Sequence, residues 1–573
     1  MRPPRILIAL LAACAGPAHA AQDGTRFFTG ANAYTMDATA PRAANFVTVD
    51  GTFWRINDLL APDVIAENPE TADVIDLGGA TVVPGIIDAH GHIAGLGAFE
   101  LGVIDLSSAT SEENMVAMVA ARARITPEGQ WIVGGRWDHE SWPERQLPTQ
   151  AMLSEAVPNN PVYLTRVDGH AGLANAAAMK LAGVHANTQA PPGGEIIRDL
   201  TGAPTGVFVD NAESLITRAI NAPTPSTEDL ILAAQTKLLS LGITSVHDMG
   251  ISLADAEVYK KLDREGRLKL RVYGVLSHAA ANEYLPDGEQ YKGDRFTLRA
   301  IKLYADGAMG SRGAWLKEPY EDNPTNDDGT PRIGLAVTPM SEIERISRLA
   351  HANGWQVCTH AIGDRANAEV LESYARVMMT GDDPIDGTPP RHRIEHAQLL
   401  DLNDLRMFGD NDIIASMQPR HCATDQRWVV DRVGPERAKG AYAWASLLRH
   451  GVKIAAGSDF PVEPPNPMLG FHAAVTRQQP NGTPERGWYP AERMTREEAL
   501  RAFTLDAAYA EFAEGTRGSI TPGKRADFVV LDTDIMTCEP ADILKARVLM
   551  TVIDGEIVYQ VGLNEDSGTG SGK

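Results

Sequence analysis

"PGIIDAHGHI", Pro84 to Ile93, is the stretch whose reading decides the fold. It begins as an apolar run and then places Asp88, His90 and His92 within five residues. With Val82 and Val83 in front, the run is too apolar for a surface loop and reads as a buried strand. Side chains two apart on a strand share a face, so His90 and His92 project together. Asp88 is assigned to the opposite face. Two buried neutral imidazoles without partners are costly, and a shared metal ion removes that cost. A His-x-His pair alone is weak evidence, because many such pairs lie in loops. The apolar lead-in is what raises it.

The same kind of ending recurs along the chain. "KLLSLGITSVHDMG" (237–250), "RLAHANGWQVCTHAIGD" (348–364) and "SLLRHGVKIAAGSDFPV" (446–462) each run helix, glycine, apolar strand, then His or Asp. Gly242, Gly354 and Gly451 suit the left-handed residue that closes a helix. "LRAIKLYADG" (298–307) and "RHRIEHAQ" (391–398) add two strands with polar ends. Polar groups gathered at strand C-termini specify a (β/α)8 barrel. An open doubly wound sheet also alternates helices and strands, but no glycine-rich phosphate turn follows a strand here.

The two ends read differently. "FVTVDGTFWRI" carries an Asp50-Gly51 hairpin signal, and "VLMTVIDGEIVY" carries Asp554-Gly555. Each half is too small to bury a core of its own. The expected class is therefore α/β. A TIM barrel spans 84–500 and carries a cap inserted at about 100–225, because the gap before "GITSVHDMG" far exceeds one βα unit. A small β-sandwich domain forms from both termini, 22–83 and 501–563, the second part opening with the final helix. The polar tail 564–573 is expected to be disordered.

Composition bounds the partners. The 573-residue chain is 43% hydrophobic, enough for a large core, and carries a formal charge of −23. That balance argues against nucleic acid and against anionic membranes, and leaves a small-molecule substrate. Arg2 and Arg5 precede an apolar stretch and an Ala18-His19-Ala20 cleavage pattern, so residues 1–20 read as a signal peptide and the address as periplasmic. The alternative is a lipoprotein anchored at Cys14 in "LAAC". Cys358, Cys422 and Cys538 suggest no disulfide framework and read as small buried hydrophobes. A homodimer is the default assembly.

His360, His396 and Asp459 end later strands and converge with His90 and His92 on a site of nitrogen and oxygen ligands. Singly, each histidine could be a core residue and Asp459 a helix N-cap. Lys302 lies inside an apolar strand, where an ammonium is expensive. Reaction with CO₂ would turn it into an anionic carbamate able to bridge two metals. The rival reading has its stem snorkelling to water or its amine pairing with a carboxylate such as Asp306. His170 in the cap and Arg312 and His421 after barrel strands are candidate substrate contacts. For them, loop hydrogen bonds or a salt bridge are the competing roles. Trp137, with Trp142, is a candidate apolar subsite or simply cap packing.

The ordered set "PGIIDAHGHI", "IKLYADGAMGSRGA", "VCTHAIGDRAN", "RIEHAQ" and "AAGSDFPV" resembles the amidohydrolase superfamily, and more narrowly its YtcJ-like branch. "WDHESWPERQLPT", "LTRVDGHAGLANAAAM" and "GKRADFVVLD" extend the resemblance over nearly the whole mature chain. It implies a TIM barrel with one or two divalent metal ions, usually zinc. The implied ligands are His90, His92, Lys302 (N6-carboxylated in binuclear relatives), His360, His396 and Asp459. Asp459 is the expected general base and acid, serving a hydroxide activated by the metal. The expected function is an exported amidohydrolase acting on an amide, N-formyl or N-acyl C–N bond. The alternatives are a metal-dependent esterase, lactonase or isomerase, and a non-catalytic envelope binding protein. A substrate panel separates the first two, and tight binding without turnover would favour the third.

Overall fold

The computed structural model describes residues 25–57, 73–221, 225–285, 288–326, 328–379 and 389–561. The expected leader, Cys14 and the tail 564–573 lie outside them. Eight parallel strands form the barrel of the central sheet: β1 (Ile86–Gly91), β2 (Ile243–Ile251), β3 (Arg271–Leu276), β4 (Phe296–Tyr304), β5 (Gln356–Ala361), β6 (Arg393–His396), β7 (Ile414–Met417) and β8 (Ile454–Ala456). Each pairs in parallel with the next. The ring closes through a parallel bridge between Gly91 and Phe460, beside which the Asp459 N–H donates to the His90 carbonyl at 2.7 Å. Closure is thus made at the strands' C-terminal end, the end that carries the histidines.

Helix-capping glycines set the rhythm. Gly242, Gly354 and Gly451 have φ of +82°, +71° and +75°, a region where side chains other than glycine's are strained. Each follows a helix (Thr227–Ser240, Met340–Ala352, Trp444–Arg449) and hands the chain to β2, β5 or β8. Strands β1, β3, β5, β6, β7 and β8 are buried at every position, as a sheet covered on both faces requires.

The termini build two further sheets. Thr81–Pro84 pairs antiparallel with Phe528–Leu531, so the two ends of the chain share one six-stranded sheet. A four-stranded sheet faces it across Phe28, Phe46, Phe53 and Phe528, with the Phe28 and Phe528 rings 4.9 Å apart edge to face. Both hairpins turn at the Asp-Gly pairs, with φ of +47° and +74° at Asp50 and Gly51 and +51° and +71° at Asp554 and Gly555.

Between β1 and β2 the chain forms the cap. Its six-stranded sheet runs Gly194–Arg198, Pro204–Asp210, Ala171–Ala174, Val162–Arg166, Ile132–Trp137, Ile104–Asp105, over its own apolar core. Among the described residues no helix is long and apolar enough to cross a membrane.

Candidate metal centre and cleft

The strand ends of the barrel bring the imidazoles together. The His90 and His396 ring centres are 4.9 Å apart, those of His360 and His396 4.5 Å, and those of His90 and His92 5.7 Å. Single ligand atoms of His90, His396 and Asp459 all fall within 4.8 Å of one another. The turn out of each strand is sharp: His396 has φ of +74° and Asp459 +60°, left-handed conformations that swing these side chains over the barrel mouth.

Hydrogen bonds fix which nitrogen faces the centre. His90 Nδ1 meets Glu395 Oε2 at 2.7 Å, His92 Nδ1 meets the Met249 carbonyl at 3.0 Å, and His396 Nδ1 meets Gln418 Oε1 at 2.7 Å. Nδ1–H donation to oxygen leaves the Nε2 lone pair free to ligate, the arrangement that metal-binding histidines show. His90 Nε2 and His92 Nε2 approach Asp459 Oδ1 at 3.6 and 3.1 Å, and that oxygen, though buried, makes no hydrogen bond of good geometry. A buried carboxylate oxygen and several imidazole lone pairs aimed at one point fit a divalent cation.

Electrostatics agree. Burial, and then the facing Lys302 amine, push His90 well below its ordinary pKa. Burial does the same to His360 and His396, each reinforced by a neighbouring imidazole. These rings are therefore neutral, as ligation requires. Burial alone would raise Asp459, but His90 and His92 outweigh it and hold the carboxyl well below the usual carboxylate range. Lys302 is 1% exposed, its Nζ lies 3.3 Å from His90 Nε2, and burial lowers its pKa. Asp306 is not its partner. That carboxylate accepts the backbone N–H groups of Ile362, Gly363 and Trp315 at 2.8 to 2.9 Å.

A cleft of about 560 Å³ joins this cluster to the cap and is lined by His90, His92, Lys302, His360, His396 and Asp459. A narrower polar pocket of about 70 Å³ opens beside it under Asp138, Arg166, Arg427 and His421. His170 lines both, its Nδ1 2.6 Å from Asp210 Oδ1. Burial opposes its charge, but the Asp210 hydrogen bond and charge prevail and lift it to about 9. His421 Nε2 stands 3.9 Å from Asp459 Oδ2.

Three expectations need correcting. Trp137 lines no part of the cleft: it is fully buried in the cap core, its indole N–H donating to the Leu164 carbonyl at 2.7 Å, and Trp142 packs beside it. Arg312 turns away from the metal ligands and pairs with Asp322 at 2.8 Å. Asp88 shares the parity of His90 and His92, as strand alternation demands, and ties β1 to the segment after β8 by accepting from Ser458 Oγ at 2.6 Å. The sequence reading also missed residues. Glu395 and Arg393 lay inside a quoted motif, and two charges two apart on an apolar strand were the signal. Gln418 and Asp210 carried no local signal, because their roles depend on groups that only the fold brings near.

A parallel barrel holding buried imidazoles and a carboxylate at its C-terminal mouth defines a metal-dependent hydrolase. The family model described as "Amidohydrolase family" matches residues 73–559, and this chain belongs to that family. Within it the chain falls in the YtcJ-like branch. The Bacillus subtilis (strain 168) protein YtcJ, assigned by name to the amidohydrolases, is 34% identical over 86% of this chain and 91% of its own length. N-substituted formamide deformylase of Arthrobacter pascens is 29% identical over 90% of this chain and 93% of its own. Among solved structures, an uncharacterized metal-dependent hydrolase from Pyrococcus horikoshii OT3 superposes with a TM-score of 0.70 and 26% identity, covering 90% of this chain and 99% of its own.

Proposed function

We propose that this protein is an exported hydrolase of a carbon–nitrogen bond in an amide, N-formyl or N-acyl compound. The observation that carries the proposal is the set of Nδ1 hydrogen bonds that leaves Nε2 lone pairs and the orphaned Asp459 Oδ1 facing one point. His90, His92, His360, His396 and Asp459 would hold one or two divalent ions, zinc being the ion that best suits nitrogen and oxygen donors of this kind. When bound, such an ion polarises a carbonyl and acidifies water.

The chain's own groups do the rest. Asp459, kept ionised by its imidazole neighbours, takes the proton of the attacking water on its carboxylate and passes it to the leaving nitrogen. Lys302 faces an imidazole lone pair at 3.3 Å, a poor place for an ammonium beside cations. Addition of its neutral amine to CO₂, with loss of one proton, gives an anionic carbamate in place of the amine. His170 and His421 face the polar pocket and suit the substrate's oxygen atoms. The pocket's small size suits a short acyl group and the wide cleft a larger N-substituent, which matches the printed name of the Arthrobacter relative.

The test is a panel of formamides, N-acyl amines, aryl esters and lactones, assayed on protein reconstituted with zinc, manganese or cobalt. Turnover of the formamides or N-acyl amines supports the reading, and turnover of esters or lactones alone overturns it. Elemental analysis gives the metal-to-chain ratio, and Lys302→Ala lowers both metal content and turnover if the amine carries the bridge.

A further inference from the structure

The cleft is also lined by an arginine that the proposed chemistry does not use. Phe99, Val103, Val133 and Pro461 give the cleft apolar walls, and Arg136 lies among them. Its place in the cap sheet is irregular. Gly135 pairs with Thr165 and Trp137 with Arg166, so Arg136 is the extra residue of a bulge. Its φ is +70°, where a glycine would sit without strain. Bulges re-aim a side chain, and a strained non-glycine residue lining a ligand cleft points to function.

The other charged groups along the cleft's cap side have partners. His170 is held by Asp210, and Arg166 by Asp168 and Asp138. Glu213 is held neutral at pH 7, burial having raised it to about 8. Arg136 differs. Its partner Asp105 holds Nη1 at 2.8 Å and does not line the cleft. Arg136 Nε is buried and has no hydrogen-bond partner among the described residues. Asp105 holds Nη1, so the Nε-bearing edge, the one that takes a carboxylate in two parallel hydrogen bonds, is left unpaired.

We infer that Arg136 anchors a carboxylate on the substrate's N-substituent, so that the preferred substrates are amides whose leaving amine is an apolar spacer ending in an anion. This rests on the carbon–nitrogen hydrolase reading. The protein's net negative charge opposes anion approach from afar, but that field is screened within about 10 Å at ordinary salt and leaves the local guanidinium to decide.

Three probes on one scaffold test it with the metal-loaded protein: N-benzylformamide and its para-carboxylate and para-aminomethyl derivatives. The carboxylate should exceed the neutral probe in kcat/KM by about 10–100-fold, the usual worth of a charge-assisted pair, and the cation should be poorest. Arg136→Gln should bring the carboxylate-to-neutral ratio close to one, mainly through KM, and Arg136→Lys should restore part of it. An unchanged ratio in Arg136→Gln, or a preference for the cation, overturns the inference while leaving the hydrolase reading intact. Should none of the probes turn over, the formamide scaffold is not a substrate, the wider panel decides on the hydrolase reading, and calorimetry decides on Arg136. Tighter binding of 4-ethylbenzoate than of 4-ethylbenzamide that vanishes in Arg136→Gln supports the anchor. Equal binding, or a preference that survives the substitution, removes it.

Discussion

The floor of the cleft and its roof are built on different principles. On the floor, His90 on β1 meets Glu395 and Arg393 on β6 across the barrel interior, and all three are at most 1% exposed. Arg393 spans Glu395, the Ala89 carbonyl and Ser416 Oγ, so the group that orients His90 is itself held at several points. On the roof, Asp138, Glu140, Arg166 and His170 stand on the cap, whose apolar core is separate from the barrel's. Ion pairs tie roof to floor: Asp138 with Arg427 and Glu140 with Arg432. Reaction chemistry sits on the part held by the most buried hydrogen bonds. Substrate choice sits on a part that can be rebuilt without disturbing it.

The largest effect should come from the floor's reactive carboxylate. Asp459→Asn should lower kcat by about 10²–10⁴, the range for losing a general acid–base group. Elemental analysis on the same sample separates a lost proton carrier from a lost ligand. Next comes the support beneath it. Glu395→Gln should weaken metal affinity by about 10–100-fold, the usual cost of removing a histidine's outer partner. It also leaves Arg393 buried without its counter-charge, which should cost about 3–5 kcal/mol in denaturant unfolding. If metal affinity and stability both survive, the floor is not built as described.

The roof answers to pH. Burial raises the Glu140 carboxyl, but His139 and Arg432 outweigh it and bring it from 4.5 down to about 2. A carboxyl whose folded pKa is depressed stabilises above its unfolded pKa, and that stability is lost as pH falls through the window between the two values. Wild type should therefore exceed Glu140→Gln in thermal stability at pH 6 by about 1–2 kcal/mol, less than the full shift implies because Arg432 keeps Asp322 as a partner. The gap should narrow steadily between pH 4.5 and 2, and scanning calorimetry across that range reads it. A gap independent of pH would mean that the tie between cap and barrel is not ionic.

Floor and roof also differ in how much of them the sequence discloses. Barrel strands that end in a ligand announce themselves, because an apolar run closing on His or Asp is unusual. β3 (RVYGVL) brings no such ending and the sequence reading did not mark it, while β7 (IASM) entered only as the strand before His421. The terminal sandwich was legible from two Asp-Gly turns. Roof contacts were not, since Arg136 is aimed by a bulge whose register depends on strands some 30 residues away. Trp137 shows the converse error. A tryptophan in a cap can pack or bind, and only the Leu164 carbonyl at 2.7 Å shows that its N–H is already taken.

The smallest effect should be at Arg312, which separates proximity in sequence from proximity in space. It follows β4 closely and its motif suggested an anion contact, yet its guanidinium faces Asp322 with both side chains partly exposed, 25% and 21%. Asp322 keeps a second partner in Arg432, so no charge is stranded when Arg312 is removed. Exposed pairs of this kind contribute about 0–1 kcal/mol. Arg312→Gln should therefore shift unfolding by less than about 1 kcal/mol and leave kcat/KM for every probe within about twofold, because nothing that lines the cleft leans on it. A tenfold loss of turnover would instead show that the Asp322–Arg432–Glu140 chain transmits strain from this rim to the roof.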